Sequence, residues 1–349
     1  MTDPMARARR SLFALIVILC LPGMAGAQTL QMLTWRSYTA PEVLERFTAE
    51  TGVSVELTIF DSNAELQRIL RTSPVAFDLA VPSDSWVRIL ADEGLLLVFD
   101  ATRLESFAAI DDVWVGPYFD PQQLYSVPLH WGTTSFAVNT DLVSPVPESL
   151  HIVFEPPETL RGRIGVLKDS RDVIELALKH LQRPACTADP DDLQALEDLL
   201  LAQREYAYGY RIQGMVNRLA EGETAVQMIY NGAAMRARLA NPAVHYVFPV
   251  EGVTVWSDNF VIPAVSDAPE RAMQFIDFFL RPENIAAQSN MTRYGNAIGA
   301  SRELLDETLR SAPELMVPPG TSITYQQICD PAILEQYDRI WQRVLVGAR

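Results

Sequence analysis

The sequence predicts an α/β fold of two lobes, and three observations support this prediction. Segments with strand and helix patterns alternate along the chain, which is typical of sheets whose strands are joined by crossover helices. An N-terminal leader of 27 residues leaves 322 of the 349 residues, enough for two domains. No Gly/Ser-rich linker or low-complexity tract separates them. We therefore expect ordinary strands to cross between two lobes joined by a hinge.

The first hundred residues alternate between strands and helices. Pro41 fits a first helical turn, where its missing N–H costs nothing, and Gly52 marks the end of that helix. The next segment, VSVELTIF, alternates apolar and polar residues as a half-buried strand does. The predicted strands are 30–35, 53–60 and 77–81, and the predicted helices are 41–51, 63–71 and 85–93. These spacings predict a parallel sheet with crossover helices.

The same alternation resumes after Val127. The predicted strands are 135–139, 164–167, 225–230, 244–249 and 259–264, and the predicted helices are 172–181, 190–205 and 269–280. In open α/β sheets, ligands bind beyond the carboxyl ends of the strands. Polar and aromatic residues at those ends are therefore the candidate site.

The N-terminus has the pattern of a cleavable signal peptide over residues 1–27. Three Arg residues precede an apolar run at 11–21, and Ala25-Gly26-Ala27 has the small-x-small form of a cleavage site. The run is shorter than the roughly 20 residues that span a bilayer. A retained anchor is the alternative; a lipoprotein is disfavoured because Leu19 precedes Cys20 where a small residue is required. The pattern predicts an exported protein that begins at Gln28.

Charge and cysteine content narrow the function further. The exported chain has 25 basic and 43 acidic side chains, a net charge of −18, which argues against nucleic-acid binding. Cys186 and Cys329 are an even pair in an oxidising compartment and predict a disulfide, two separate buried thiols being the alternative. The four His residues, at 130, 151, 180 and 245, are not spaced along the chain as they are in metal-binding motifs. We therefore expect no metal site and no cofactor.

Aromatic residues and short acids lie at several predicted strand ends. They are Trp35, Tyr38, Ser83, Asp84, Ser85, Trp86, Asp169, Asp172, Tyr230, Asn231, Trp256 and Asp258, with Tyr294 in the loop MTRYGNAIG. Taken singly, a Trp is more often a core residue and an Asp at a strand–helix junction is more often a helix cap. Taken together they suit an alkylammonium ligand. Aromatic walls attract cations by about 0.5–2 kcal/mol each, and carboxylates bind ammonium groups.

The sequence resembles the periplasmic spermidine/putrescine-binding proteins of ABC importers, which have the type II periplasmic binding protein fold. The likeness runs from about Leu30 to the C-terminus. Its most specific segments are LTWRSYTAPEVLERFTAETG, FDLAVPSDSWV, YFDPQQLYSVPLHWGTTSFAVN, LKDSRDVIELAL, MIYNGAA, EGVTVWSDNFVIPA and RYGNA. The resemblance implies two lobes, each a mixed sheet flanked by helices, with a periplasmic location. It implies lobe 1 at 28–137 plus 258–302, and lobe 2 at 138–257 plus 303–349.

The resemblance also implies site residues and partners. Trp35 and Tyr38 match an aromatic pair that lines the cleft in the family. Asp169 and Asp172 match the family's acidic pair, which binds one end of the polyamine. Trp256 and Asp258 match a stacking ring and the carboxylate at the central amine. The remaining implied contacts are Ser83, Tyr230, where a Trp is common, Tyr294, and Gln326, whose register against Gln327 is open. The implied partners are a polyamine and the membrane permease subunits of an ABC importer, with the protein as a monomer.

Two positions depart from the family pattern. Arg36 stands where Thr or Ser is usual, and its guanidinium would repel an ammonium unless Asp84 or another acid pairs with it. Ser85 stands where a Tyr is expected, and Trp86 is the candidate for replacing that wall. We therefore include Arg36, Asp84 and Ser85 among the candidate ligand contacts. The same fold binding a zwitterion, an amino acid derivative or an aminophosphonate is the alternative.

Two further function classes receive less support from the sequence. A hydrolase using paired carboxylates is disfavoured because no G-x-S-x-G, metal-binding or phosphate-loop motif is present. A binding protein that reports to a membrane receptor without transport is the other alternative. We expect a transport protein and not an enzyme.

Overall fold

The computed structural model describes residues 28–73 and 75–346. The predicted signal peptide, including Cys20, lies outside the described residues, so its cleavage stays a prediction. Within the described ranges, no helix combines the length and the apolar character needed to cross a membrane.

The first part of the chain forms the predicted alternation of strands and helices. Its elements are β1 (Gln28–Trp35), α1 (Pro41–Thr51), β2 (Val53–Phe60), α2 (Asn63–Thr72), β3 (Leu79–Ala80) and α3 (Asp84–Asp92). β1 pairs in parallel with both β2 and β3, as the strand–helix spacing predicts. Gly52 adopts the left-handed conformation, with φ at 75°, and its N–H bonds the carbonyl of Thr48 to end α1.

The middle of the chain opens with the longest strand. Its elements are β4 (Ser126–Asn139), α4 (His151–Phe154), β5 (Ile164–Val166), α5 (Ser170–His180), α6 (Pro190–Arg204), β6 (Ala207–Tyr210), α7 (Met215–Ala220), β7 (Val226–Tyr230), α8 (Asn231–Ala240) and β8 (Val244–Val247). The last part contains β9 (Val253–Val261), α9 (Pro269–Phe279), α10 (Pro282–Thr292), β10 (Gly295–Asn296), α11 (Glu307–Arg310), β11 (Ile323–Tyr325) and α12 (Pro331–Leu345).

The strands form a mixed sheet in the order β2-β1-β3-β9-β4-β7-β5-β6. Its centre is antiparallel, because β4 pairs with both β9 and β7 in that sense, whereas the outer pairs β1–β2 and β5–β6 are parallel. The α/β class and the mixed sheet are as predicted.

For two of these strands, the first residue predicted from the sequence lies later in the chain than the first residue in the structure. The segment predicted at 135–139 is the end of β4, which begins at Ser126 and is buried over almost its whole length. The strand predicted at 259–264 is β9, which begins at Val253 and is buried on both faces. A strand buried on both faces lacks apolar–polar alternation. Trp256 and Asp258 therefore lie within a strand and not before one.

The apolar side chains form separate cores on the two sides of the sheet centre. One core draws on residues between 136 and 247 and on α12, with Phe136, Leu176 and Trp341 among its buried members. The other cores draw on residues between 30 and 129 and between 256 and 298. β4 supplies both sides, since Leu129 belongs to one core and Val138 to the other. The lobe boundaries stay a prediction.

Cys186 and Cys329 form a disulfide with an S–S distance of 2.05 Å, which confirms the predicted pair. The bond closes a loop of 143 positions and attaches the segment before α12 to the segment between α5 and α6. Tyr337 of α12 reinforces this attachment, because its hydroxyl group donates a hydrogen bond to the carbonyl of Ala185 over 2.8 Å.

Candidate functional site

A cleft of about 860 Å³, counting the part open to solvent, lies among the ends of β1 and β7, the middle of β9 and the N-terminus of α5. Eleven of the thirteen predicted site residues line it: Trp35, Arg36, Tyr38, Ser83, Asp169, Asp172, Tyr230, Trp256, Asp258, Tyr294 and Gln326. Nine of the eleven lie at predicted strand ends or in the loop MTRYGNAIG, and Arg36 and Gln326 come from the family resemblance. Among the described residues of this lining, none is His, Cys or Lys. The cleft thus offers carboxylates, rings and two guanidinium groups.

Asp258 is a buried carboxylate held by two hydroxyl groups. Tyr38 donates to its Oδ2 over 2.5 Å and Ser83 donates to its Oδ1 over 2.8 Å. Asn63 positions Ser83 in turn, by accepting from its backbone N–H over 3.0 Å. Burial raises the pKa of Asp258 to about 6, and the two hydroxyl donors partly oppose that rise. The carboxylate is oriented before any ligand arrives.

Asp169 and Asp172 form a second acidic group at the start of α5. Asp169 caps the helix, because its Oδ1 accepts from the backbone N–H of Arg171 over 3.0 Å. Asp172 accepts from the Tyr230 hydroxyl over 2.7 Å. Burial raises the pKa of Asp172 well above its usual value, and the neighbouring charge of Asp169 raises it further. A bound cation would relieve this repulsion. The cap interpretation and the ligand interpretation of Asp169 are therefore compatible.

Aromatic rings form a connected wall beside these acids. Trp256 packs edge-to-face against Tyr294 at 5.1 Å and against Tyr230 at 5.7 Å between ring centroids. Tyr38 lies 6.0 Å from Tyr294. Gly132 allows this packing, because a Cβ there would lie 2.4 Å from the Trp256 ring. The ring positions are thus fixed by close backbone approach as well as by ring–ring contact.

The partner of Arg36 is Asp61 and not Asp84. Arg36 Nε lies 3.3 Å from Asp61 Oδ1, and the Arg36 side chain is 53% exposed. Of the acids expected to pair with Arg36, Asp84 or another, the partner is another acid, because Asp84 lies at the buried N-terminus of α3. Gln213, which lies between β6 and α7, also donates to Asp61, over 3.5 Å.

Asp84 and Ser85 do not belong to the cleft lining. Asp84 is 1% exposed, and burial raises its pKa to about 7. Ser85 donates to Oε1 of Gln326 over 2.6 Å, so it supports a lining residue from behind. Trp86 does not replace the missing wall either, since its ring lies 5.9 Å from the Arg171 guanidinium and outside the lining. Between the two glutamines, Gln326 is the one that lines the cleft.

Seven lining residues were not predicted: Ser37, Phe60, Asp61, Asn63, Ile212, Met215 and Arg236. Phe60 is the last residue of β2, so the strand-end rule applied to that strand would have found Phe60, Asp61 and Asn63. Arg236 lies inside α8, where no local signal marks it. Its side chain donates to the carbonyl of Thr292 and lies 5.8 Å from the Tyr294 ring.

Comparison with known proteins assigns the family. Residues 42–317 match the model of the bacterial extracellular solute-binding proteins. This chain belongs to that family. The solute-binding protein is 33% identical over 278 residues to the spermidine/putrescine-binding periplasmic protein of Escherichia coli K12, covering 79% of this chain and 80% of the relative.

Two further similarities extend over nearly the whole chain. The solute-binding protein is 30% identical over 344 residues to a putrescine/agmatine-binding protein of Pseudomonas aeruginosa, covering 93% of this chain and 94% of that one. Its structure is similar to that of a protein from Listeria monocytogenes assigned to a spermidine/putrescine ABC transporter. The TM-score is 0.85 at 25% identity, with coverage of 91% of this chain and 98% of the other. The fold is that of a type II periplasmic binding protein, as the sequence predicts.

Proposed function

We propose that this solute-binding protein captures a polyamine of the putrescine or spermidine class in the periplasm and delivers it to the permease subunits of an ABC importer. The observation that carries the proposal is the convergence of Asp169, Asp172 and Asp258 on one aromatic-walled cleft. Its relatives bind spermidine, putrescine or agmatine, which supports the same ligand class.

The chemistry of the cleft suits a methylene chain with ammonium groups. Charge-assisted hydrogen bonds from ammonium to carboxylate contribute about 1.5–3 kcal/mol each. Stacking of the chain on Trp256 and Tyr294 removes apolar surface from water and adds cation–π attraction of about 0.5–2 kcal/mol per ring. Micromolar binding requires a binding free energy of about −8 kcal/mol. Three carboxylates and several rings supply this after subtraction of the free-energy cost of ordering the ligand and the side chains. The lining acids bind the ligand's charges and perform no bond-breaking step in this proposal.

Each lining residue has a role in this proposal. Asp169 and Asp172 bind one ammonium end, and Asp258 binds the amine beside the Trp256 ring. Trp35, Tyr38, Tyr230 and Tyr294 form the walls, while Ser83 and Gln326 orient or contact the ligand. Asp84 and Ser85 lie outside the lining, where Asp84 accepts a hydrogen bond from the backbone N–H of Ser85 and Ser85 holds the Gln326 side chain. Closure of the two predicted lobes about the cleft, by a monomer, would bury the ligand.

Arg36 favours a second candidate, a ligand that carries an acidic group. Its guanidinium lines the cleft, is half exposed and is held by one contact at 3.3 Å, so it is accessible to a carboxylate or phosphonate. Arginine binds both groups in a bidentate manner. In this case the ammonium end would still meet Asp169 and Asp172, and the acidic end would meet Arg36.

Isothermal titration calorimetry with matched ligands tests both candidates. Putrescine and 4-aminobutyrate have the same chain length, and they differ in carrying a second ammonium or a carboxylate. We expect putrescine or spermidine to bind with micromolar or tighter affinity and 4-aminobutyrate to bind at least about tenfold more weakly. Absence of polyamine binding at millimolar concentration contradicts the proposal. Tighter binding of 4-aminobutyrate or 2-aminoethylphosphonate, lost in Arg36→Ser, establishes the second candidate.

A further inference from the structure

A cluster of metal-ligating side chains lies away from the cleft. Nδ1 of His151 is 3.1 Å from Oε2 of Glu155, and Nε2 of His180 is 2.8 Å from the same oxygen. The three ligand atoms all lie within 4.8 Å of one another. We propose that His151, Glu155 and His180 form a binding site for a divalent transition metal, with Zn²⁺ as the ion that fits best.

The donor set and its spacing select the metal. Two imidazoles and one carboxylate suit Zn²⁺ and not Ca²⁺ or Mg²⁺, which take oxygen ligands. Zn–N and Zn–O bonds of about 2.0–2.2 Å in tetrahedral geometry place neighbouring ligand atoms about 3.3–3.5 Å apart. The observed separations of 3.1 and 2.8 Å from the Glu155 oxygen need to widen by about 0.2–0.7 Å to reach these values. Binding thus replaces two hydrogen bonds with three metal–ligand bonds.

A second carboxylate lies near the other ring nitrogen of His180. Glu251 Oε1 lies 3.8 Å from His180 Nδ1, the ring nitrogen that faces away from Glu155. Glu251 is itself fixed, because it accepts hydrogen bonds from Ser149 Oγ over 2.5 Å and from the backbone N–H of Leu150. Metal-bound histidines usually direct their second N–H to a carboxylate, which fixes the tautomer. When Nε2 binds the metal, Nδ1–H faces Glu251.

The surrounding structure makes the site partly preformed and open on one side. The His180 ring stacks on Phe154 with centroids 5.6 Å apart, and its side chain is 12% exposed. The side chains of His151 and Glu155 are 62% and 54% exposed. Three protein ligands leave a fourth position for water on the exposed side. The metal would join α4 to the last turn of α5.

The site lies at the opposite end of α5 from the acidic pair of the cleft. Asp169 caps the helix at its start and His180 is its last residue. At 1.5 Å per residue, 11 residues separate the two ends by about 16 Å. The metal therefore does not contact a ligand in the cleft. The sequence prediction of no metal site depended on spacing along the chain. His151 and His180 are 29 positions apart, and β5 intervenes between α4 and α5.

Zinc titration of the protein purified without a polyhistidine tag tests this site. We expect binding of one Zn²⁺ per chain by calorimetry and a rise in Tm on addition of Zn²⁺ that EDTA reverses. Co²⁺ should give the visible absorption of a tetrahedral complex. His151→Ala and His180→Ala should each weaken Zn²⁺ binding more than tenfold. Glu251→Gln should weaken it by about tenfold or more.

The matched control is His245→Ala, which removes an exposed histidine of β8. It should bind Zn²⁺ as the unaltered protein does. Because His151 is exposed, His151→Ala should keep the far-UV circular dichroism and the Tm measured in EDTA, so a loss of Zn²⁺ binding reports the ligand itself. The proposal is overturned if the protein binds no stoichiometric Zn²⁺, or if both His→Ala variants bind Zn²⁺ with the affinity of the unaltered protein.

Discussion

The hydroxyl group of Tyr38 donates a hydrogen bond to Asp258 over 2.5 Å, although the two residues are 220 positions apart. This contact joins the loop after β1 to the middle of β9. Ser83, which lies at the N-terminal boundary of α3, donates a hydrogen bond to the other carboxylate oxygen of Asp258. Two separate parts of the chain thus fix a buried carboxylate carried by a third, and each oxygen retains further acceptor capacity for a ligand ammonium.

Replacing this carboxylate should weaken polyamine binding strongly. Asp258→Asn keeps the side-chain shape but removes the charge that pairs with an ammonium. We expect a loss of about 1.5–3 kcal/mol, which is roughly 10- to 150-fold in Kd, measured by calorimetry with the best-binding polyamine. Asp267→Asn, at an exposed loop position, is the control and should leave Kd unchanged. Unchanged affinity in Asp258→Asn would place the ligand elsewhere.

Acidification should affect stability and binding at Asp258 in opposite directions. Burial raises the folded-state pKa of Asp258 to about 6, above its value of about 3.9 in an unfolded chain. The Asp258 contribution to stability is therefore fully present below about pH 4 and is lost as the pH rises through 6. The ionised carboxylate that binds an ammonium is lost in the other direction, as the pH falls below 6.

Two measurements test these opposite pH dependences of stability and of polyamine binding. At pH 7, ligand-free Asp258→Asn should be more stable to urea than the unaltered protein, by up to about 3 kcal/mol, and the gap should narrow at pH 5. Polyamine affinity should fall between pH 7 and pH 5 in the unaltered protein, and less in the variant. A gap that widens at pH 5 would contradict the assigned pKa shift.

A methyl group at Gly132 should displace a wall of the cleft without removing any ligand contact. The added Cβ would lie 2.4 Å from the Trp256 ring and 2.6 Å from Oδ1 of Asn231, so the ring must move. We expect Gly132→Ala to weaken polyamine binding about tenfold and to change the tryptophan fluorescence of the ligand-free protein. Trp256→Phe in the same background should restore room for the methyl group. A Gly132→Ala protein with normal affinity would show that the ring position does not matter.

Removal of the disulfide should destabilise the protein. The bond between Cys186 and Cys329 closes a loop of 143 positions, and crosslinks of this size restrict the unfolded chain by about 4–5 kcal/mol in the chain-entropy account. The double variant Cys186→Ser/Cys329→Ser should lose about 2–5 kcal/mol in urea denaturation. Dithiothreitol should destabilise the unaltered protein similarly and leave the double variant unaffected. Equal sensitivity of both proteins to dithiothreitol would count against the bond.

The sequence predicted local elements well where a periodic pattern has clear ends. β2 has the predicted bounds, Val53–Phe60, and α1 ends at Gly52 as expected. The prediction was poorer for β4 and β9, which lie at the sheet centre. Strands buried on both faces show no alternation, so their starts leave no local signal. Some acids and rings of the cleft, namely Trp35, Tyr230 and Asp169, do follow or end strands, where ligands bind in open α/β sheets.

The sequence by itself determined the α/β class, the pairing of Cys186 with Cys329, and most of the side chains that line the cleft. Periodicity, turn residues and residue type carry that information locally. Only the tertiary structure decided that Asp61 neutralises Arg36, that Ser85 supports Gln326 from behind, and that His151 meets His180 at one carboxylate. These contacts join residues 25 to 241 positions apart, and they depend on how the helices pack against a mixed sheet.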